Sequence, residues 1–248
     1  MSQDDVDLTM DKSKVIEELI LRNKISPLDS GIEYKILHQL DCVREALTYR
    51  YFEFLNSSYE LYKCEKSISG LCLSRTALET LSVLLFINVK LNKFVNGKDT
   101  VALFNFVEKL MIGHSSQNTN TSVKVESINV MKFINEVDKK KDNFRKLYDT
   151  LSEYSHPNYL GSTEAYSHLD STDMSVFFSK SYKTSNVDLS EKLGTTIKSL
   201  VGIHWLDAQK PYGDLYEQSL GVFIGKNAAG NLRSELDFLF QEHENNNC

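Results

Sequence analysis

Proline is scarce in this 248-residue sequence. Only Pro27, Pro157 and Pro211 occur, so residues 28–156 contain none. A helix interior excludes proline, because the ring removes a backbone N–H and collides with the preceding turn, whereas sheet-rich chains need Pro and Gly at frequent turns. With 41% hydrophobic and 25% charged residues, the composition is that of a globular protein with a core. The scarcity of proline therefore predicts an all-α fold built from long helices.

Several common motifs of enzymes are also absent. The sequence contains no GxxxxGK[ST], no GxGxxG and no GxSxG, so the usual signatures of phosphate loops, dinucleotide sites and serine hydrolases are missing. The six histidines form no HxxxH pair and the four cysteines form no CxxC pair, so we predict no metal site and no cofactor. The net charge of −6 gives no general attraction to nucleic acid or to anionic membranes.

The sequence shows no segment typical of export or membrane insertion. Residues 1–14 are acidic and polar, unlike a signal peptide. The most apolar stretch, residues 78–91, is interrupted by polar and charged side chains and is shorter than the ~20 residues of a membrane span. The cysteine spacing fits a reducing compartment. We therefore predict a soluble cytoplasmic protein with no membrane contact.

Apolar residues recur at helical spacing along most of the chain. This periodicity predicts helices over residues 11–24, 33–65, 67–93, 99–112, 127–137, 139–155, 189–208 and 231–242. The helix at 67–93 is apolar almost all round, which is typical of the central helix of a bundle, so we expect long central antiparallel helices. Non-helical structure is expected at residues 1–10 (disordered), 113–122 (a loop), 211–213 (a turn) and 244–248 (a tail).

The character of the sequence changes between residues 161 and 185. The segment Met174–Tyr182 is short, aromatic and flanked by Ser, Thr and Asp, which predicts a strand or a small hairpin. We treat 161–185 as an insert in the helical bundle. Residues 186–243 are then expected to form helices that pack on the core.

Two helical segments carry polar residues at a spacing of four. Arg75 and Glu79 share a face of the most apolar helix, where a charged pair is costly without partners from neighbouring helices. Tyr148, Ser152 and His156 form a polar stripe on a later helix. Antiparallel packing of the two helices would bring the Arg–Glu pair against this stripe.

These residue types suit one kind of chemistry. His156 can act as a general acid or base near neutral pH, and Arg75 can stabilise a phosphate. Tyr148 and Ser152 can orient either group, so the set suits metal-independent cleavage of RNA, in which the 2′-hydroxyl is the nucleophile. The alternative is a buried polar network that fixes helix register.

The only local basic patch follows residue 138. Lys139, Lys140 and Lys141 precede Arg145 and Lys146. Such a run either contacts phosphates or is simply a solvated helix face. We predict Arg145 and Lys146 as substrate-binding residues. Asn158, which follows the His-Pro pair, completes the predicted binding set.

An Arg-x-x-x-Glu helix followed by Tyr-x-x-x-Ser-x-x-x-His-Pro resembles the HEPN-like class of helical proteins. The segments that carry the resemblance are LCLSRTALETLSVLLFIN (71–88) and LYDTLSEYSHPN (147–158). The resemblance implies an all-α core over residues 11–160, a homodimer, and a role in toxin–antitoxin, abortive-infection or other phage-defence systems. Many such proteins are metal-independent ribonucleases with catalytic residues at the dimer interface.

The sequence departs from this class at one position. Active ribonucleases of the class carry an arginine in R-x(4–6)-H, but the positions permitted by His156 hold Leu151, Thr150 and Asp149. Either Arg75 supplies the cation from the other helix, or the site senses RNA or a nucleotide without cleaving it.

Two other classes of function stay open. The bundle can be a non-enzymatic module that binds a protein partner, with the 161–185 insert as the recognition element. The tyrosine-rich helix at 33–65 can also line a pocket for a small molecule.

Overall fold

The structure is a computed structural model that describes residues 3–26, 34–112, 129–179 and 189–228. These residues form an all-α bundle with one two-stranded hairpin, which confirms the predicted fold class. The helices are α1 (Gln3–Ile20), α2 (Lys35–Lys63), α3 (Ser67–Gly97), α4 (Thr100–Ile112), α5 (Val130–Asp138), α6 (Phe144–Ser155), α7 (Glu164–Tyr166), α8 (Leu189–Ile203) and α9 (Lys210–Ala228). Two π-helical segments are also present, Tyr159–Thr163 (the first π segment) and His204–Gln209 (the second π segment).

Helix α3 is the centre of the bundle, as its composition predicts. It forms a hairpin with α2 through a tight turn in which Glu65 has a left-handed backbone, with φ of 57°. It also packs against α5, α6, α8 and α9. Leu71, Leu78 and Leu81 of α3 are completely buried. The burial of such a helix on most of its circumference is the main apolar contribution to the stability of a bundle.

By length and composition alone, α3 could also cross a membrane. The 31-residue helix contains an 18-residue window with a mean hydropathy of 1.5. In the bundle, 67% of that window is buried against other helices. A core helix has the same apolar composition because its neighbours enclose it. The cytoplasmic location and the lack of membrane contact remain predictions.

The prediction that residues 1–10 are disordered is wrong for the described part of that segment. Helix α1 begins at Gln3, and Val6 and Met10 are completely buried. Asp4 and Asp5 lie in its first turn, where carboxylates stabilise the positive end of the helix dipole. Val6 and Met10 are four residues apart in an otherwise polar segment, so both lie on the helix face that packs against the core.

The hairpin lies where the aromatic segment predicts it. Strand β1 (Ser167–Leu169) pairs with β2 (Val176–Phe178) in an antiparallel register that sets Ser167 opposite Phe178. Residues 180–185 of the predicted insert lie outside the described residues, as do the predicted loop at 113–122, the helix at 231–242 and the tail at 244–248.

The predicted turn at residues 211–213 is wrong, because Pro211 lies inside a continuous helical path. Helix α8, the second π segment and α9 follow one another without a break. Pro211 has no N–H for the carbonyl of Asp207, one helical turn earlier. The side chain of Asn88 in α3 donates to that carbonyl instead, at 3.1 Å, and also to the carbonyl of Ala208 at 2.8 Å. The proline is therefore tolerated with a local π-helical distortion.

Candidate functional site

The structure brings the Arg–Glu pair of α3 against the polar stripe of α6. The Arg75 Nη2 atom donates a hydrogen bond to the Tyr148 hydroxyl at 3.0 Å, and the guanidinium carbon lies 5.2 Å from the centre of the Tyr148 ring. The Arg75 Nε atom lies 3.2 Å from Oε1 of Glu79. Arg75 thus contacts two of the other four predicted catalytic residues.

Solvent reaches this cluster. The Arg75 side chain is 25% exposed and the Glu79 side chain 29%, whereas Tyr148 is buried. Burial lowers the pKa of Arg75, but the hydrogen bond that Arg75 donates to Tyr148 and the charge of Glu79 outweigh it, so that the pKa is raised overall. Arg75 therefore carries its positive charge throughout the neutral pH range, at a position where a dissolved anion can approach it.

The polar atoms of the cluster are only partly satisfied. The Ser152 hydroxyl is buried and has no hydrogen-bond partner among the described residues. The Arg75 Nε atom lies within ion-pair distance of Glu79 but does not direct its N–H at the carboxylate, so it also lacks a hydrogen bond. A purely structural network is expected to satisfy all its members, because each buried unpaired group costs about 1–3 kcal/mol.

His156 lies where α6 ends. Its backbone is extended, with φ of −95° and ψ of 148°, as expected for a residue before proline, and its N–H donates to the carbonyl of Ser152. The side chain is exposed. Within the described ranges, no hydrogen bond or ion pair joins its imidazole to Arg75 or Tyr148. In a single chain, therefore, the His156 side chain is exposed and is not held against Arg75 or Tyr148.

The loop after α6 holds the His156 backbone in place. Asn158 accepts a hydrogen bond from the Gly161 N–H at 3.0 Å and donates to Glu153 at 2.6 Å, so this predicted binding residue caps the first π segment. A β-carbon on Gly161 would lie 2.1 Å from the His156 carbonyl oxygen and 2.9 Å from that of Tyr154. Both obstacles are backbone atoms, so only glycine fits here without moving His156.

Arg145 and Lys146, the other predicted binding residues, line a surface groove of about 520 Å³ beside α6. Arg145 donates to Asp149 at 2.8 Å and to Asn135 at 2.7 Å. The groove contains three carboxylates and two cations, which is a poor match for a phosphate chain. Two nearby lysines are also paired, Lys139 with Glu136 and Lys141 with Asp207. Their binding role remains a prediction.

A second polar cluster, in α2, was missed from the sequence. Asp41, Arg44 and Glu45 are at least 93% buried, with exposures of 7%, 6% and 6%. Arg22, just beyond α1, donates two hydrogen bonds to Asp41 and three to Glu45. The signal was available, because Asp41 and Glu45 are charged residues at i and i+4 on a long apolar helix, like the pair on α3. The many tyrosines of α2 indicate an apolar helix face instead.

Metal-ligating groupings are not present in the part of the chain that the structure describes. No group of three or more His, Cys, Asp or Glu side chains there could hold an ion.

Comparisons with known proteins add no family assignment. The chain matches no family model, no curated protein and no solved structure. The resemblance to HEPN-like proteins thus depends on the two sequence segments that form the α3–α6 contact.

Proposed function

We propose that this chain is a HEPN-like helical protein that cleaves RNA without a metal ion, in phage defence or a stress response. The observation that carries the proposal is the hydrogen bond from the partly exposed Arg75 of α3 to Tyr148 of α6, the helix whose end presents an exposed His156. The reaction needs a cation and a base, and the Arg75 guanidinium meets one end of the α6 stripe while the His156 imidazole lies at the other end.

Each group has a defined role in the proposed reaction. The RNA 2′-oxygen forms a bond to the adjacent phosphorus while the bond to the 5′-oxygen breaks, which leaves a 2′,3′-cyclic phosphate and a 5′-oxygen that takes a proton from water to become a hydroxyl. His156 accepts the proton of the 2′-hydroxyl, because histidine is the side chain that most often acts as a general base. Arg75 stabilises the extra negative charge on the phosphorus oxygens. Tyr148 fixes the orientation of the guanidinium through its hydrogen bond.

A homodimer would complete the site. Since one chain makes no contact between the His156 imidazole and Arg75, we propose that His156 of one copy faces Arg75 of the other. A two-fold axis would then create two equivalent sites.

The test is RNA degradation by the purified protein in EDTA. We expect His156→Ala to lower the cleavage rate by about 10²–10⁴-fold, as for loss of a general base. Arg75→Ala should lower it by about 10²–10³-fold, as for loss of a group that stabilises transition-state charge. His168→Ala and Arg50→Ala, on the hairpin and on α2, are matched controls that should cleave like the wild type.

A mixture of the two inactive variants tests the dimer. If the site forms between copies, random exchange should restore about a quarter of the wild-type rate, since half of the dimers would have one intact site of two. No restoration would place both residues of a site in one chain. Intact RNA with the wild-type protein, or equal cleavage by all variants, would contradict the proposed reaction.

Gly161→Ala tests the positioning of His156. The new methyl group collides with the His156 carbonyl, so the loop has to shift, and a displacement of about 1 Å can lower a rate by about 100-fold. We expect slower cleavage and a moved NMR signal of the His156 ring. Gly202→Ala is the control, because a β-carbon there meets no atom within 4 Å. An unmoved signal in Gly161→Ala would refute this positioning role.

A second candidate function is favoured by the hairpin. Its apolar side chains face solvent: Phe177 is 51% exposed, Phe178 78%, Leu169 50% and Val176 49%. An exposed apolar hairpin can add a strand from another protein at its edge. If RNA stays intact in the cleavage assay, protein recognition by this hairpin becomes the leading function.

A further inference from the structure

A cavity of about 520 Å³ is lined by none of the residues of the proposed cleavage site. It is formed by α2, the end of α1, the second π segment and α9. Trp205, Tyr212 and Tyr216 contribute three aromatic side chains to its lining. Cavities of this size accommodate small organic molecules, and an aromatic lining favours a flat apolar body.

Arg44 supplies a buried cation at this cavity. Its guanidinium carbon lies 3.8 Å from the centre of the Tyr212 ring, and its Nη2 atom donates a hydrogen bond to the Gln209 side-chain oxygen. No carboxylate of the described residues lies within ion-pair distance of it. Burial lowers the pKa of Arg44, which is the mark of a cation that has lost water without gaining a direct anionic partner.

The nearest carboxylates are occupied elsewhere. Asp41 accepts two hydrogen bonds from Arg22, both at 2.8 Å, and one from the Tyr212 hydroxyl at 3.0 Å. Glu45 accepts three hydrogen bonds from Arg22, between 2.6 and 3.0 Å. Because Arg22 takes both carboxylates, the remaining donors of Arg44 are available to a ligand. A guanidinium presents five donors, of which the described contacts use one.

The second π segment determines the shape of the cavity. It supplies Trp205 and Gln209 to the lining, and Asn88 of α3 anchors its backbone through two hydrogen bonds. His204, at its start, is buried and stacks on Tyr51 with ring centres 4.4 Å apart. Isolated π-helical turns inside α-helices are frequent at functional sites. The cavity is thus built on a fixed element rather than on a surface loop.

We propose that this cavity binds a small aromatic monocarboxylate, with the ring against Trp205 and Tyr216 and the carboxylate on Arg44. Of the three cations in the lining, Arg22 is paired with Asp41 and Glu45 and Lys210 is exposed, so Arg44 is the buried cation left to bind a carboxylate. A carboxylate on Arg44 forms two parallel N–H···O bonds. The proposal is independent of RNA cleavage, because it uses neither Arg75 nor His156.

Trp205 makes the proposal testable, since it is the only tryptophan of the chain. Phenylacetate is the probe, and phenylacetamide is its neutral counterpart of the same shape. We expect phenylacetate to change the Trp205 fluorescence saturably and to release heat in calorimetry. Phenylacetamide should bind at least about tenfold more weakly, because it lacks the charge. Cyclohexylacetate should bind about 2- to 10-fold more weakly, because its ring is not aromatic.

Variants assign the contacts. Arg44→Gln should weaken phenylacetate binding by about 10- to 100-fold, as for loss of a charged hydrogen bond. If that variant fails to fold, Arg44→Lys and Tyr216→Leu give the same information with less change to the buried network. Arg50→Gln, which alters an arginine of α2 away from the cavity, should bind like the wild type.

Three outcomes would overturn the proposal. Equal binding of phenylacetate and phenylacetamide would remove the role of the charge. Binding of inorganic phosphate as strong as that of phenylacetate would reduce the site to a simple anion site. Absence of phenylacetate binding by the wild type, in fluorescence and in calorimetry, would show that the cavity does not take this class of ligand.

Discussion

Asp41→Ala is expected to lower the free energy of unfolding by about 3 kcal/mol, because it breaks a buried hydrogen-bonded ion pair. The carboxylate is 7% exposed and accepts hydrogen bonds from Arg22 and from the Tyr212 hydroxyl. In the variant, Tyr212 keeps a buried hydroxyl without its acceptor. The side chain of Arg22 is 43% exposed and regains water, which keeps the loss at the lower end of the range for buried pairs.

Urea unfolding measures this loss, with two comparison variants. Asp41→Asn keeps an acceptor for Tyr212 and should lose less than the alanine variant. Glu60→Ala removes the partner of Lys63 at the surface, where Glu60 is 64% exposed, and should change stability by less than about 1 kcal/mol. If Asp41→Ala is no more destabilising than Glu60→Ala, the cluster does not stabilise the fold.

Acidification is expected to destabilise the protein through His204. Burial, together with the charge of Arg44, lowers the pKa of His204 from 6.5 to about 3. Well above pH 6.5 the histidine is neutral in both the folded and the unfolded chain and makes no pH-dependent contribution. As the pH falls from 6.5 towards 3, the unfolded chain takes up a proton that the folded chain does not. Stability therefore falls in this window, by up to about 1.4 kcal/mol per pH unit.

The matched variant for this prediction is His204→Phe. A phenyl ring can keep the stack with Tyr51 and the edge contact with Phe52, but it cannot bind a proton. We expect the difference in unfolding free energy between wild type and variant to be constant above pH 6.5 and to change steadily below it. Parallel curves across the whole range would show that His204 already binds its proton in the folded chain.

The overall architecture was predictable because long apolar periodicity and missing proline act over many residues. The central position of α3 follows from its near lack of charge, and the strand signal near residue 176 follows from a cluster of aromatic residues. The errors lie where tertiary contacts override local signals. Val6 and Met10 are too sparse to reveal a helix by themselves, and Pro211 reads as a break unless the Asn88 side chain is known to replace its missing donor.

The same distinction between local patterns and tertiary contacts applies to the candidate sites. The contact of Arg75 with Tyr148 follows from spacings within two helices, which sequence alone reveals. The cavity around Arg44 depends on residues from distant parts of the chain, such as Arg22 and Tyr212, so no local pattern reports it. In the proposed dimer, the position of the His156 ring relative to Arg75 would depend on association between chains, which sequence patterns do not encode.

The second π segment also determines the direction, around the helix axis, in which the side chains of α9 point. In an α-helix each residue turns the chain by about 100° around the helix axis. A π-helical turn contains one more residue than an α-helical turn, so all later side chains point in a different direction from those of a regular α-helix. Tyr212, whose ring centre lies 3.8 Å from the guanidinium carbon of Arg44, and Tyr216, which lines the same cavity, both follow this offset. The length of the stretch from His204 to Gln209 is therefore as much a part of the cavity as the side chains in it: a single-residue deletion there would leave the composition of α9 unchanged while pointing its tyrosines elsewhere.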